Sequence, residues 1–153
     1  MKKQMVKTAI CEECEEDVPY TVSKIKKNHT IDGVTFEVEQ YAAYCNICGH
    51  PVNPHEIWSK NFRIIYDEYR KRVGLLTSGD IIRIRKKRGM SQVDLARFIQ
   101  CGEKNIARYE NGAVQDRVFD FLIRLVDDDK VYKEMKRINE QREKALSKLK
   151  LSY

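Results

Sequence analysis

Two Cys-x2-Cys pairs, Cys11 with Cys14 and Cys45 with Cys48, are separated by 30 residues, and no other feature constrains this chain as strongly. Four thiolates form the soft ligand set that tetrahedral zinc prefers, and each pair can deliver two sulfurs to one ion from a tight knuckle. Gly49 follows the second pair, where such a knuckle needs backbone freedom. The expectation is one structural Zn²⁺ per chain on Cys11, Cys14, Cys45 and Cys48, a closed tetrahedron with no open position for catalysis. A thioredoxin-type redox pair requires a strand and a following helix in a βαβ context, which neither pair has. Cys101 lies alone in an apolar stretch and reads as a small buried hydrophobe, while His29, His50 and His55 are assigned no ligand role.

Between the pairs the sequence is strand-like. Residues 18–26 and 34–44 are rich in Val, Ile, Thr, Phe and Tyr, with Val34, Phe36 and Val38 alternating, and Asp32-Gly33 is a turn signal. This predicts a twisted hairpin carrying a Cys pair at each end, within a module of residues 1–58. So short a segment buries little core, so the metal should supply most of its folding free energy, on the order of 10 kcal/mol or more. The charge is uneven: residues 1–58 carry net −3 and residues 59–153 net +9. Zinc on four thiolates adds a site charge of −2, leaving the module at about −5. An acidic module suits a basic protein partner, or its own chain, better than DNA.

After Pro51 and Pro54, a stripe at Trp58, Phe62, Ile65, Tyr66, Tyr69 and Val73 predicts a linker helix over 59–76, stopped near Gly74. Short helices follow over 77–127. The first is capped by Thr77 or Ser78 and ends at Gly89; the second is capped by Ser91; the third runs from about Glu103 to Glu110. A fourth carries Val118, Phe121, Leu122, Leu125 and Val126 on one face. Residues 128–153 read as one charged helix with apolar positions at Val131, Met135, Ile138, Ala145 and Leu149, interrupted by Arg142. The fold class is therefore α+β: a small zinc-bound β-hairpin module followed by an all-α helix-turn-helix domain.

In a helix-turn-helix the second helix enters the major groove. Here Lys104, Asn105 and Arg108 point to one side, offering a donor for guanine, an amide for adenine and a second cation, whereas Ile106 and Tyr109 point to the core. Ser91 and Gln92 open the preceding helix and offer N–H groups and an amide to phosphate. The basic run Arg83, Arg85, Lys86, Lys87 and Arg88 reads as a solvated face beside the DNA backbone or away from it.

The segments from Arg85 to Ala96 (Arg-Lys-Lys-Arg-Gly-Met-Ser-Gln-Val-Asp-Leu-Ala) and from Asn105 to Gly112 (Asn-Ile-Ala-Arg-Tyr-Glu-Asn-Gly) resemble the Xre/Cro-type helix-turn-helix. With the preceding cysteine pairs, the chain to about residue 127 resembles the MqsA (YgiT-type zinc finger) antitoxins. The resemblance implies a homodimer whose zinc domain binds a toxin, typically an mRNA-cleaving ribonuclease, and whose C-terminal domain represses transcription. It implies zinc on Cys11, Cys14, Cys45 and Cys48 and a base contact from Arg108. The chain departs from the family pattern four residues before Arg108: the family has Asn there, whereas Lys104 stands here and Asn105 follows one step on, about 100° around the helix.

The basic N-terminus lacks an apolar run, and no window approaches a membrane span, so secretion and membrane insertion are not expected. A cytoplasmic DNA-binding repressor with an operator and a toxin as partners is the leading reading. The alternative is a free-standing zinc-finger helix-turn-helix regulator without a toxin. No Ser/His/Asp or paired-carboxylate set suggests an enzyme.

Overall fold

The structure, a computed structural model, describes residues 7–150; the basic residues at the extreme N-terminus and the last three positions of the expected tail helix lie outside them. The chain divides into two compact units after Val73.

The first unit is an antiparallel four-stranded sheet in sequence order, β1 (Thr8–Cys11), β2 (Glu16–Ile31), β3 (Val34–Cys45) and β4 (Pro51–Val52), with helix α1 (His55–Arg72). Strands β2 and β3 form the expected hairpin, with Ile31 opposite Val34 and Tyr20 opposite Cys45. Asp32 and Gly33 make its turn with φ of 47° and 79°, the double positive φ of a type I′ turn whose twist matches the strands. The short strands β1 and β4 were not legible in the sequence: each is too brief to show a period, and each forms only by pairing with a longer neighbour.

Helix α1 begins at His55, four residues earlier than expected, and belongs to this first unit instead of bridging to the next. Phe36, Val38 and Tyr69 are buried together, with Ile31, Val34, Ile64, Ile65 and Val73 packed around them. Asn61 holds the helix to the strand, accepting from the Tyr41 N–H at 2.8 Å and donating to the Tyr41 carbonyl at 2.7 Å, as a neighbouring strand would. A second small core, Cys11, Val18 and Cys45 with Cys14 and Val52, lies at the open end of the hairpin.

The second unit contains α2 (Ser78–Lys87), α3 (Gln92–Phe98), α4 (Asn105–Glu110), α5 (Arg117–Asp127) and α6 (Asp129–Lys150). Thr77 with Asp80, and Ser91 with Asp94, form capping boxes that start α2 and α3. Leu76, Ile81, Ile84, Leu95, Ala96, Ile99, Ile106, Tyr109, Ile123 and Val126 form its core. One expectation for α5 needs correction. Ile123 and Val126 face inward, but Val118 and Phe121 are 64% and 61% exposed, because the sequence stripe spans two faces of the helix and only one meets the core.

Candidate functional sites

The two cysteine pairs flank the hairpin at its open end, so closing the strands closes the site. Cys11 ends β1 and Cys45 ends β3; Glu16 of β2 pairs with Cys11, and Tyr20 of β2 with Cys45. The four Sγ atoms lie within 4.8 Å of one another, with Cys11 to Cys48 at 3.5 Å and Cys14 to Cys45 at 3.9 Å. A tetrahedral Zn²⁺ with bonds of about 2.3 Å requires sulfur separations of about 3.8 Å, so the thiols stand at the right spacing for such an ion. Cys11 and Cys45 are buried, Cys48 is exposed, and no histidine joins the group.

Both knuckles have the same backbone design. The Glu15 N–H donates to the Cys11 carbonyl at 2.9 Å, and the Gly49 N–H donates to the Cys45 carbonyl at 3.0 Å. Glu15 and Gly49, each just after the second cysteine of its pair, have φ of 54° and 77°. Gly49 therefore does what the sequence suggested, whereas Glu15 holds the same left-handed conformation with a side chain. N–H groups of Cys48 and Ile47 point at Cys45 Sγ at 3.4 and 3.3 Å. These two donors pull the Cys45 thiol down to about 6, while the neighbouring Cys48 sulfur, burial and the other two sulfurs push Cys14 up. A divalent cation held by these four sulfurs would take the place of their protons and stabilise all four thiolates together. Such an ion would be held by the four sulfurs with no open position, a structural role.

In the second unit, α3 and α4 form the helix-turn-helix pair. Ile106 and Tyr109 are buried, as expected, and Lys104 and Arg108 are exposed; neither of those two cations has a side-chain partner among the described residues. Asn105 is half-buried, with its amide beside Gly102. Helix α4 starts two residues later than expected, so Lys104 is its N-cap and Asn105 its first residue. At α3, Ser91 Oγ donates to Asp94 at 2.6 Å, and the Gln92 amide donates to Glu110 at 2.6 Å, so both side chains already serve the fold.

The basic run is solvated in part, with Arg83, Lys86 and Lys87 exposed, but most of its cations are paired within their own unit. Arg85 donates to both carboxylate oxygens of buried Glu110 at 2.5 and 3.0 Å. Arg83 and Lys87 pair with Asp127, and Arg88 pairs with Asp129, donates to the carbonyls of Val126 and Asp127, and lies over the Tyr132 ring. Among the described residues, Lys86 alone of the run has no side-chain partner. Sequence reasoning missed Glu110, seen only as a helix end. Its partners stand 25 and 18 positions upstream, a separation no local pattern encodes.

A four-cysteine cluster with the spacing of a metal site on a β-hairpin, followed by a unit with five helices among the described residues, two of them a helix-turn-helix pair, defines the class of protein. The chain matches the model of the MqsA family, described as the antitoxin component of a bacterial toxin-antitoxin system, over residues 1–136, and it belongs to that family. No curated protein matches it. Family membership implies a toxin as partner. No helix among the described residues is long and apolar enough to cross a membrane.

Proposed function

We propose that this antitoxin is a cytoplasmic, non-enzymatic DNA-binding repressor that carries one structural zinc ion and acts as a homodimer. In this reading the metal unit, acidic in sequence, engages a basic toxin of the ribonuclease class that the resemblance implies. The helix-turn-helix reads the operator of its own promoter. The observation that carries the DNA reading is the contrast among cations: four of the five in the basic run are tied to acids or carbonyls of their own unit, whereas Lys104 and Arg108 stand exposed at α4 with no ion-pair partner among the described residues. Exposed cations on a recognition helix, Lys104 at its N-cap and Arg108 one turn on, suit base edges. Asn105 adds an amide beside them, and Ser91 and Gln92 serve mainly by placing the start of α3 near phosphate. The exposed Val118 and Phe121 on α5 offer an apolar face for the second copy.

Titration of operator and scrambled duplexes at two salt concentrations tests this. Arg108→Ala should cost about 1–3 kcal/mol on the operator while leaving scrambled DNA almost unaffected. Lys104→Ala should behave similarly. Lys86→Ala should weaken both duplexes alike and lower the salt slope by about one, the signature of a phosphate contact. Equal weakening of both duplexes by Arg108→Ala would remove α4 as the reader.

A further inference from the structure

Helix α6 runs on past residue 136, where the family match ends, and two of its side chains reach back to the turn between α3 and α4. Asn139 Nδ2 donates to the Phe98 carbonyl at 3.1 Å, and Arg142 Nη1 donates to Gln100 Oε1 at 2.6 Å. Both acceptors are at critical places. Phe98 is the last residue of α3, whose final carbonyls have no partner within the helix. Gln100 has φ of 58°, the left-handed conformation in which a helix usually ends on glycine, so a side-chain-bearing residue there adds strain to the turn. The first turns of α6 are anchored, since Tyr132 and Met135 pack on the core of the unit and the Tyr132 ring lies 5.3 Å from that of Phe98.

We propose that Asn139 and Arg142 are positioning residues that hold the α3–α4 turn in one conformation and thereby set the pose in which Lys104 and Arg108 are presented. Three residues separate the held Gln100 from Lys104, and this short turn is tied to α3 by the Cys101 N–H on the Ala96 carbonyl and to α4 by the Asn105 N–H on the Gly102 carbonyl, so that a shift of Gln100 carries the start of α4 with it. The inference rests on the DNA-reading proposal above for its consequence, but the latch itself does not need DNA.

Amide hydrogen exchange on the full-length, metal-loaded protein without DNA tests the latch. Asn139→Ala and Arg142→Ala should each speed exchange at Gln100, Cys101 and Asn105 by roughly fivefold and leave the amides of α2 at wild-type rates, with Arg142→Lys intermediate. In a Gln100→Gly background, which removes both the strain and the acceptor, Arg142→Ala should have no further effect. Unchanged exchange at the turn, or uniform acceleration through the whole unit, overturns the proposal. The same variants titrated with DNA should lose roughly fivefold in the ratio of operator to scrambled affinity at constant salt slope. Equal loss on both duplexes with a slope lower by about one would make Arg142 a phosphate contact instead and overturn its positioning role. Should the wild type fail to discriminate the duplexes, the DNA-reading proposal falls, and the exchange experiment still decides the latch.

Discussion

Glu15 and Gly49 occupy equivalent positions in two knuckles of the same design, and only one of them is glycine. A Cβ at Gly49 would meet no atom within 4 Å, so the cost of Gly49→Ala is that of the backbone conformation alone. It should be about 1–2 kcal/mol, read as a lower urea midpoint of the metal-loaded protein. Glu15→Gly should move the midpoint the other way by less, since glycine also loses more conformational freedom on folding. A larger effect operates at Glu110, which is 5% exposed and bonded to Arg85 and Gln92. Glu110→Ala leaves the Arg85 guanidinium partly buried without its anion and should destabilise the second unit by about 3–5 kcal/mol. The double replacement Arg85→Met with Glu110→Leu should recover most of that loss in thermal unfolding, because it removes the charge along with its partner.

At the scale of elements, the junction of α5 and α6 gathers charges that are distant in sequence. Asp127, at the end of α5, is held at about 2 by Arg83 first and then Lys87, both on α2 and at least 40 positions upstream. Its carboxyl is depressed relative to the unfolded chain, so its contribution is complete above the ordinary carboxylate value of about 4 and is lost as pH falls toward 2. Stability of the second unit should therefore fall through that window, and Asp127→Asn should flatten the fall while lowering the plateau at neutral pH; urea midpoints at stepped pH check this. The apolar stripes of α1 and α5 were legible as helices, but which part of each stripe is covered was not. Periodicity reports that an element has an apolar side; the neighbour that covers it comes from elsewhere in the chain.

For the whole molecule, each unit has its own source of stability. Among the described residues, the second has a continuous core of ten buried residues, whereas the first has two small clusters, one of them made largely of the cysteines. A segment with so little core rarely folds on apolar burial alone. Chelation, or Cys45→Ser with Cys48→Ser, should abolish cooperative folding of the first unit and leave the melting of the second intact, followed by hydrogen exchange resolved by unit. Elemental analysis should find about one zinc per chain in the wild type and none in the double variant. Metal-free protein with undiminished protection in the hairpin would show that the Phe36, Val38 and Tyr69 cluster suffices.

The order of the units, the hairpin with its Asp32-Gly33 turn, the four-cysteine set and the capping residue Ser91 were determined by the sequence itself, because each depends on interactions between residues close in the chain or on side-chain chemistry that few folds can use otherwise. Tertiary structure decided which cations are paired. Arg83, Arg85, Lys87 and Arg88 look the same as Lys104 and Arg108 in a count of charge, but the first four meet acids or carbonyls brought to them from 25 or more positions away. It also decided that α1 completes the first unit and that Asn139 and Arg142 reach the turn at Phe98 and Gln100. A hydrogen bond or ion pair is specified by proximity in space, and over separations of 25 to 44 residues only the packing of the intervening elements supplies it.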